Sequence, residues 1–449
     1  MDSKITIGII CAVLLIGLGE AAPLAAQEEP SEKPLVLTLP DALEMALQRN
    51  YDLQIAASKI AEAQAAVTEA AAANRFQLNF GGAYLRLGPV TSFEVPTPSG
   101  PETIEIGSDK SWNATVSAYQ SLYSAGRNQA LRTVARLGAA TAELDAASRR
   151  HQTALTTTQL FYQVMQAQSL LKVAEQDEQR AREHFQIAAA RVKAGAAPQF
   201  DQLRAEVDVA NAHQKVIAAR TGVEAAKNQL KNVLAIDVEQ PIQIKAEPQP
   251  EPITPDAQAC RQLALAHREE IKIAKQGVLI AQQKLRLARA QQGVNLGAIA
   301  SYSRQNATGF GEDYSWSVGV QASKPLLDGG SSQAKQEQAR QQLRQAEIGV
   351  QQVTELVALD VAQALLALEE AKAKLASTQK TVEQAQESLR LAEIRYNAGV
   401  GTPVEVTDAR TALAAAETNN VNAIYSYRIA EARLARAVGV PVNELPVIK

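Results

Sequence analysis

Apolar and polar positions follow two different periods along this chain. In four stretches, each about ten residues long, they alternate every second residue, the signature of strands with one apolar face. Residues 112–122 place Trp112, Ala114, Val116 and Ala118 on one face against Asn113, Thr115, Ser117, Tyr119 and Ser121 on the other. Residues 314–323 repeat this, with Tyr314, Trp316, Val318 and Val320 against Ser315, Ser317, Gly319 and Gln321. The stretches before them, 76–87 and 294–303, alternate less strictly and pair with them as two hairpins. About ten residues is the length of a tilted strand crossing a bilayer.

Elsewhere the period is helical. In 343–396 the apolar residues form one seam, running Leu343, Ala346, Val350 and Val353 through Leu368 to Leu389, Ala392 and Tyr396. Its steps alternate three and four, except at Val353, Val357 and Val361, where two fours fall together. That is a heptad seam with a stutter, which locally unwinds a left-handed supercoil. A plain coiled coil fits as well as a wall of neighbouring helices. Helices from Gly126 to Gly195 and from Gly330 to Gly399 would each run about 100 Å at 1.5 Å per residue. Each then turns, at 194–199 and 398–403, and a second helix returns to Leu234 or Val438.

The two halves are copies. Trp112 and Trp316 are 204 residues apart, and the same offset carries Gly195 onto Gly399 and Leu230 onto Leu434. Before the first Trp the offset is 218, as for Leu78 and Leu296, so the first copy carries fourteen extra residues near 88–110. Those residues and 305–313 are expected to be outward loops. The organisation expected is therefore a first repeat over 27–235, a Pro-rich irregular connector over 236–258, a second repeat over 259–440 and a tail over 441–449.

The first residues change the compartment. Lys4, an apolar run over 5–18 and small residues up to Ala26 make a secretory signal over 1–26, too short to anchor in a bilayer. Removing it leaves Cys260 as the one cysteine, so no intramolecular disulfide is expected. With 46% hydrophobic but only 4% aromatic residues, the chain favours long helices packed through small side chains. A net charge of −3 argues against nucleic acid as a partner. His151, His184, His213 and His267 match no metal-ligand spacing, and no nucleophile-elbow, phosphate-loop or zinc motif is present, so neither an enzyme nor a cofactor is expected. Arg127 is left open between a partner within the subunit and a place on a lumen.

Four strands cannot close a barrel, and an open edge in lipid leaves backbone groups unpaired at several kcal/mol each. The barrel must be shared: two copies give eight strands and a filled interior, three give twelve and room for a pore. The competing reading is a non-channel periplasmic coiled-coil adaptor or scaffold whose hairpins form a soluble sheet.

Two duplicated motifs carry a resemblance: Lys324-Pro-Leu-Leu-Asp-Gly-Gly330 at a strand exit, and Arg395-Tyr-Asn-Ala-Gly399 followed by Thr402, Glu405 and Asp408 at a hairpin turn. With them in this strand and helix order, nearly all the mature chain resembles the TolC family of outer-membrane channel-tunnel proteins. The resemblance implies long antiparallel coiled-coil helices forming an α-barrel tunnel, with four strands per protomer in a trimeric twelve-stranded β-barrel. It implies an outer-membrane location and a homotrimer that touches outer-membrane lipid through a belt containing Trp112, Tyr314 and Trp316. Partners would be a periplasmic adaptor and an inner-membrane transporter of the RND, ABC or MFS type, for small-molecule efflux or type I secretion of proteins. Glu405 and Asp408 match acidic positions at the tunnel entrance, where like charges repeated around an axis should raise some carboxylate pKa values. Gly195, Gly399 and Thr402, with Asp201, match the adaptor-docking tip. Pro198 departs from the family's Ser or Thr and puts contacts at the first turn in question. Solvated acids near a helix start and helix-ending glycines are the plainer readings of the same residues.

Overall fold

The computed structural model describes residues 34–89, 91–106, 109–245, 248, 250–306, 313–441 and 444–446. The signal over 1–26, most of the second outward loop and part of the tail lie outside them.

Each half begins with a broken helix. Strand β1 (Leu35–Leu37) leads into α1 (Leu39–Arg49) and α2 (Tyr51–Ala72). Thr38 caps α1 in a reciprocal capping box with Asp41, and Asn50 both ends α1 and caps α2. Strands β2 (Gln77–Arg86), β3 (Thr91–Thr97), β4 (Gly100–Ile106) and β5 (Lys110–Tyr123) follow. Next come α3 (Arg127–Lys193) and α4 (Gln199–Val233). The connector holds β6 (Ile242–Ile244). The second half repeats the plan with α5 (Ala257–His267), α6 (Glu269–Ala290), β7 (Asn295–Gln305), β8 (Tyr314–Ser323), α7 (Ser331–Asn397) and α8 (Pro403–Val438). The copies match in detail: α1 and α5 have 11 residues each, α2 and α6 have 22, and α3 and α7 have 67.

One expectation is refined and one corrected. The outward loop expected over 88–110 contains a hairpin, in which β3 and β4 pair antiparallel from Thr91–Ile106 to Thr97–Gly100. They form a two-stranded sheet of their own, beyond the β2–β5 ladder, which itself ends with Leu87 N–H donating to Asp109 O. The connector is not wholly irregular, because β6 pairs in parallel with β1, Leu35 opposite Ile242 and Leu37 opposite Ile244. Ile242 and Ile244 bury their alternate side chains with Leu37, Phe161 and Leu234, which fixes the strand through a short apolar alternation rather than through length.

The helices pack as the seam foretold. Every position of the 343–396 seam is buried or half-buried, with Val357, Val361 and Leu368 fully enclosed beside Leu434 and Val438 of α8. The stutter at Val353–Val361 lies where α5 adds Cys260 and Ala264 to that core. The long helices run side by side as α4–α3–α8–α7 in the half remote from the sheet and α2–α3–α6–α7 in the half next to it.

Candidate functional site

The sheet has the order β2–β5–β7–β8 and is antiparallel throughout. Register places Leu78 beside Ala118 and Ala300, and Tyr302 beside Trp316, so the middle of one face is mainly apolar from edge to edge, with Arg86, Lys110 and Arg304 at its far end. The other face carries Asn79, Ser117, Ser301 and Ser317 in one cross-strand row. Thr115 and Ser303 hydroxyls meet on it at 2.9 Å, as do those of Ser301 and Ser317. Trp112 sits opposite Tyr84, while Trp316 is 70% exposed and the rings of Tyr302 and Tyr314 stack at 6.4 Å. The expected belt residues thus share one end of one face. At both edges, β2 and β8, every residue is exposed and the outer backbone groups have no strand partner among the described residues.

About 100 Å away, at 1.5 Å per helical residue, the two helical hairpins turn. Gly195 and Gly399 both adopt the left-handed conformation, with φ of 70° and 78°. In each turn the backbone folds back identically: Ala196 N–H donates to Arg191 O at 2.8 Å and Val400 N–H to Arg395 O at 3.0 Å. Thr402 caps α8, accepting from Glu405 N–H at 3.3 Å, with Pro403 in the first turn. Pro198 stands at the matching place on α4 and offers no side-chain cap. Gly401 is fixed by close approach, since a Cβ there would lie 2.8 Å from Tyr396 N.

The two acidic candidates differ. Glu405 pairs with Arg395, Nε to Oε2 at 3.2 Å, and this hydrogen bond holds its carboxyl below the usual range. Within the chain that direction is opposite to the one expected of a crowded acidic ring. Asp408, one turn on, is exposed and makes no hydrogen bond or ion pair among the described residues. In the first repeat the matching positions are Asp201 and Arg204, so the acidic pair occurs once per chain. Asp201 is half-buried at the start of α4 and lies in the field of His184.

Sequence reasoning missed what joins the two hairpins behind the tip. Arg410 of α8 meets Asp177 of α3 at 2.6 Å, both buried, and Lys215 of α4 reaches the same carboxylate at 3.4 Å. Arg180 forks onto Glu417 through two bonds of 2.9 and 2.8 Å. Arg191 donates to Tyr396 O at 2.8 Å and lies 4.5 Å above that ring. His184 packs on the same ring, and burial holds its pKa down although Asp208 and Asp201 pull the other way. The signal that was available is broken repeat symmetry. At the 204-residue offset Arg410 faces Glu206, Asp177 faces Thr381, and Arg180 faces Gln384.

No group of acids, histidines or cysteines that could hold a metal occurs among the described residues, and no described helix is long and apolar enough to cross a membrane.

Comparison with known proteins completes the description. The sequence profile of the family described as outer membrane efflux protein matches residues 42–235 and 260–440. Protein CyaE of Bordetella pertussis is 26% identical over 313 residues, which is 66% of this chain and 64% of that relative's own length. Among solved structures, this fold matches CusC, studied for conformational changes accompanying folding and transmembrane channel formation, with a TM-score of 0.77 and 18% identity over 90% of this chain and 92% of that one. It matches the outer membrane protein VceC of Vibrio cholerae with a TM-score of 0.71 and 18% identity over 90% of this chain and 96% of that one. The open-state MtrE outer membrane channel of Neisseria gonorrhoeae gives 0.70 and 19%, over 90% of this chain and 89% of that one.

Proposed function

We propose, from the premise that this chain belongs to the outer membrane efflux protein family, that three copies close their sheets into one twelve-stranded barrel and serve as a passive export duct. The observation that carries this is the four-stranded sheet: one face is mainly apolar, with Arg86, Lys110 and Arg304 confined to its end remote from the helices, the other is mainly polar, and both edges are open. In lipid the open edges would be untenable, whereas β8 of one copy against β2 of the next satisfies both. Four strands per copy then make a lumen only when three copies join. The scaffold reading would leave Trp316, Val318 and Val320 facing water, a patch that favours aggregation.

The long helices carry a second, exposed apolar stripe, Ile348, Leu356, Leu359 and Leu366 on α7, facing away from the internal seam. On α4 the outer edge shows Phe200, Leu203 and Val207. Helices α4 and α7 are the two edges of the α4–α3–α8–α7 row, which is where neighbouring copies would meet in a closed ring. Glu405 and Asp408 would then ring the far end with six carboxylates, a cation-favouring constriction. The duplicated turns at Gly195 and Gly399, with Asp201 and Thr402, would meet a periplasmic adaptor coupled to an inner-membrane pump of the RND, ABC or MFS type. Energy would come from that pump. Cargo selection would lie with the partners, for small molecules and proteins alike.

Native mass spectrometry of the detergent-extracted mature chain, with planar-bilayer recording of the same sample, tests the reading. A trimer that inserts and conducts is expected. A detergent-independent soluble monomer without conductance would overturn it.

A further inference from the structure

Charge is unevenly distributed along the long axis. In the helix ends and turns next to the sheet, 59–76, 127–140, 277–294 and 324–344, there are twelve Lys and Arg against four Asp and Glu, a net +8. The whole chain carries −3, so the rest is strongly acidic. Within this band one cation, Arg340, is held by an acid, Glu337, at 3.2 Å. Arg75, Arg127, Lys284, Arg286, Arg289 and Lys335 are all exposed and form no ion pair among the described residues. Paired charges would be the ordinary state of a helical wall, as at Arg182 with Glu178 and Arg390 with Glu387 farther down the same helices.

The position of the band says what it faces. Lys324 continues the alternation of Trp316, Val318, Val320 and Ala322, so it projects from the apolar side of the sheet one step beyond the strand. Directly after it Leu326 and Leu327 are 86% and 98% exposed in the single chain, beside the β8 edge at which a second copy would join. Phe76 is also exposed, just before β2 on the same apolar parity. Cations interleaved with bare apolar side chains, immediately beside an apolar membrane face, are what an anionic lipid surface recruits. Arg286 and Arg289 line a cavity of about 400 Å³ with Gln129 and Thr133, between α3 and α6, wide enough for a headgroup.

We propose that this band is a lipid-recognition collar that selects anionic phosphate headgroups in the membrane leaflet adjoining the helices. It rests on the reading of the sheet as membrane-spanning. Phosphate oxygens would accept from the unpaired guanidinium and ammonium groups, while Leu326, Leu327 and Phe76 enter the headgroup–acyl boundary. The collar would set the height of the duct in the bilayer.

The test reconstitutes the full mature protein in vesicles of mixed phosphatidylcholine and phosphatidylglycerol, then measures the lipid retained on the extracted protein and the ion selectivity of the inserted channel. Wild type is compared with a Lys324→Gln, Arg286→Gln, Arg289→Gln, Lys335→Gln variant, and with Arg182→Gln as a control far from the band. Wild type and control should retain phosphatidylglycerol above its bulk share and lose the excess at high salt. The quadruple variant should insert and conduct but lose at least about fivefold of that enrichment, since one cation beside an anionic surface contributes about that factor. Equal lipid ratios in wild type and variant would overturn the collar while leaving the duct intact. A shift in ion selectivity without a lipid change would place these cations on the lumen and also overturn it. Failure of wild type to insert at all would remove the membrane reading on which the collar stands.

Discussion

At the scale of single residues, the tip is held by a few ionic links whose cost lies in their burial. Arg410 and Asp177 have side chains 8% and 3% exposed, so removing one partner leaves a charge with little water. Arg410→Ala is expected to destabilise the chain by about 3 kcal/mol, softened by Lys215, which still reaches Asp177. Replacing both, Asp177→Asn with Arg410→Met, should recover most of that loss. Thermal melting of the two variants against wild type checks the ranking, and hydrogen exchange should show the loosening in the parts of α3 and α8 near the turns. A second link lies near the middle of the molecule. Burial would raise the Glu270 pKa, but bonds from Arg436, at 2.6 Å, and Arg268, at 2.9 Å, outweigh it and lower the value from 4.5 to about 2. Because the folded value is the depressed one, this contribution is present above pH 4.5 and is lost as pH falls towards 2. Its size is on the order of 3 kcal/mol. Glu270→Gln should therefore melt lower than wild type at neutral pH, and the gap should close as the medium is acidified through that window.

At the scale of elements, two stripes on one helix should answer to different partners. Leu368 is enclosed by the chain's own α5 and α8, so Leu368→Ala should cost about 2–5 kcal/mol of chain stability. Leu359 is half-exposed on the other stripe, and Leu359→Glu should leave the helices folded while lowering the trimer-to-monomer ratio in native mass spectra. An unchanged trimer would detach that stripe from subunit contact. The internal seam was readable in advance because it depends on spacing alone, and the buried Leu368, Leu389 and Tyr396 fall where a period near 3.5 puts them. The strand faces were readable for the same reason, with period two. What escaped was structure fixed by pairing at a distance. Residues 91–106 carry Pro96 and Pro101, which read as loop, yet these stand opposite each other in the β3–β4 ladder. Strand β6 has 3 residues, too few for a periodic signal, and exists because β1, some 200 residues earlier in sequence, lies beside it. The Arg410–Asp177 link likewise joins residues that no local pattern relates.

At the scale of the whole molecule, the two ends have opposite character, and each end calls for its own measurement. The barrel interior offered by Ser117, Ser301, Ser317 and Gln321 is polar and uncharged, so it has no reason to reject either sign of ion. In the proposed trimer the charged constriction would lie instead at the far turns. There Glu405 is already engaged by Arg395 within its own chain, whereas Asp408 is free among the described residues. If three copies converge, the Asp408 carboxylates should dominate the field at the entrance, with Glu405 partly neutralised. Single-channel recording of wild type against Asp408→Ala, Glu405→Ala and the double variant separates the two. Wild type should show small, cation-selective conductance. Asp408→Ala should lose most of the selectivity, and Glu405→Ala should lose less while also weakening the cap made with Thr402. The double variant should conduct more than wild type, because removing both acids widens and discharges the entrance. Conductance unchanged in all three would leave the duct standing and remove the acidic ring as its gate.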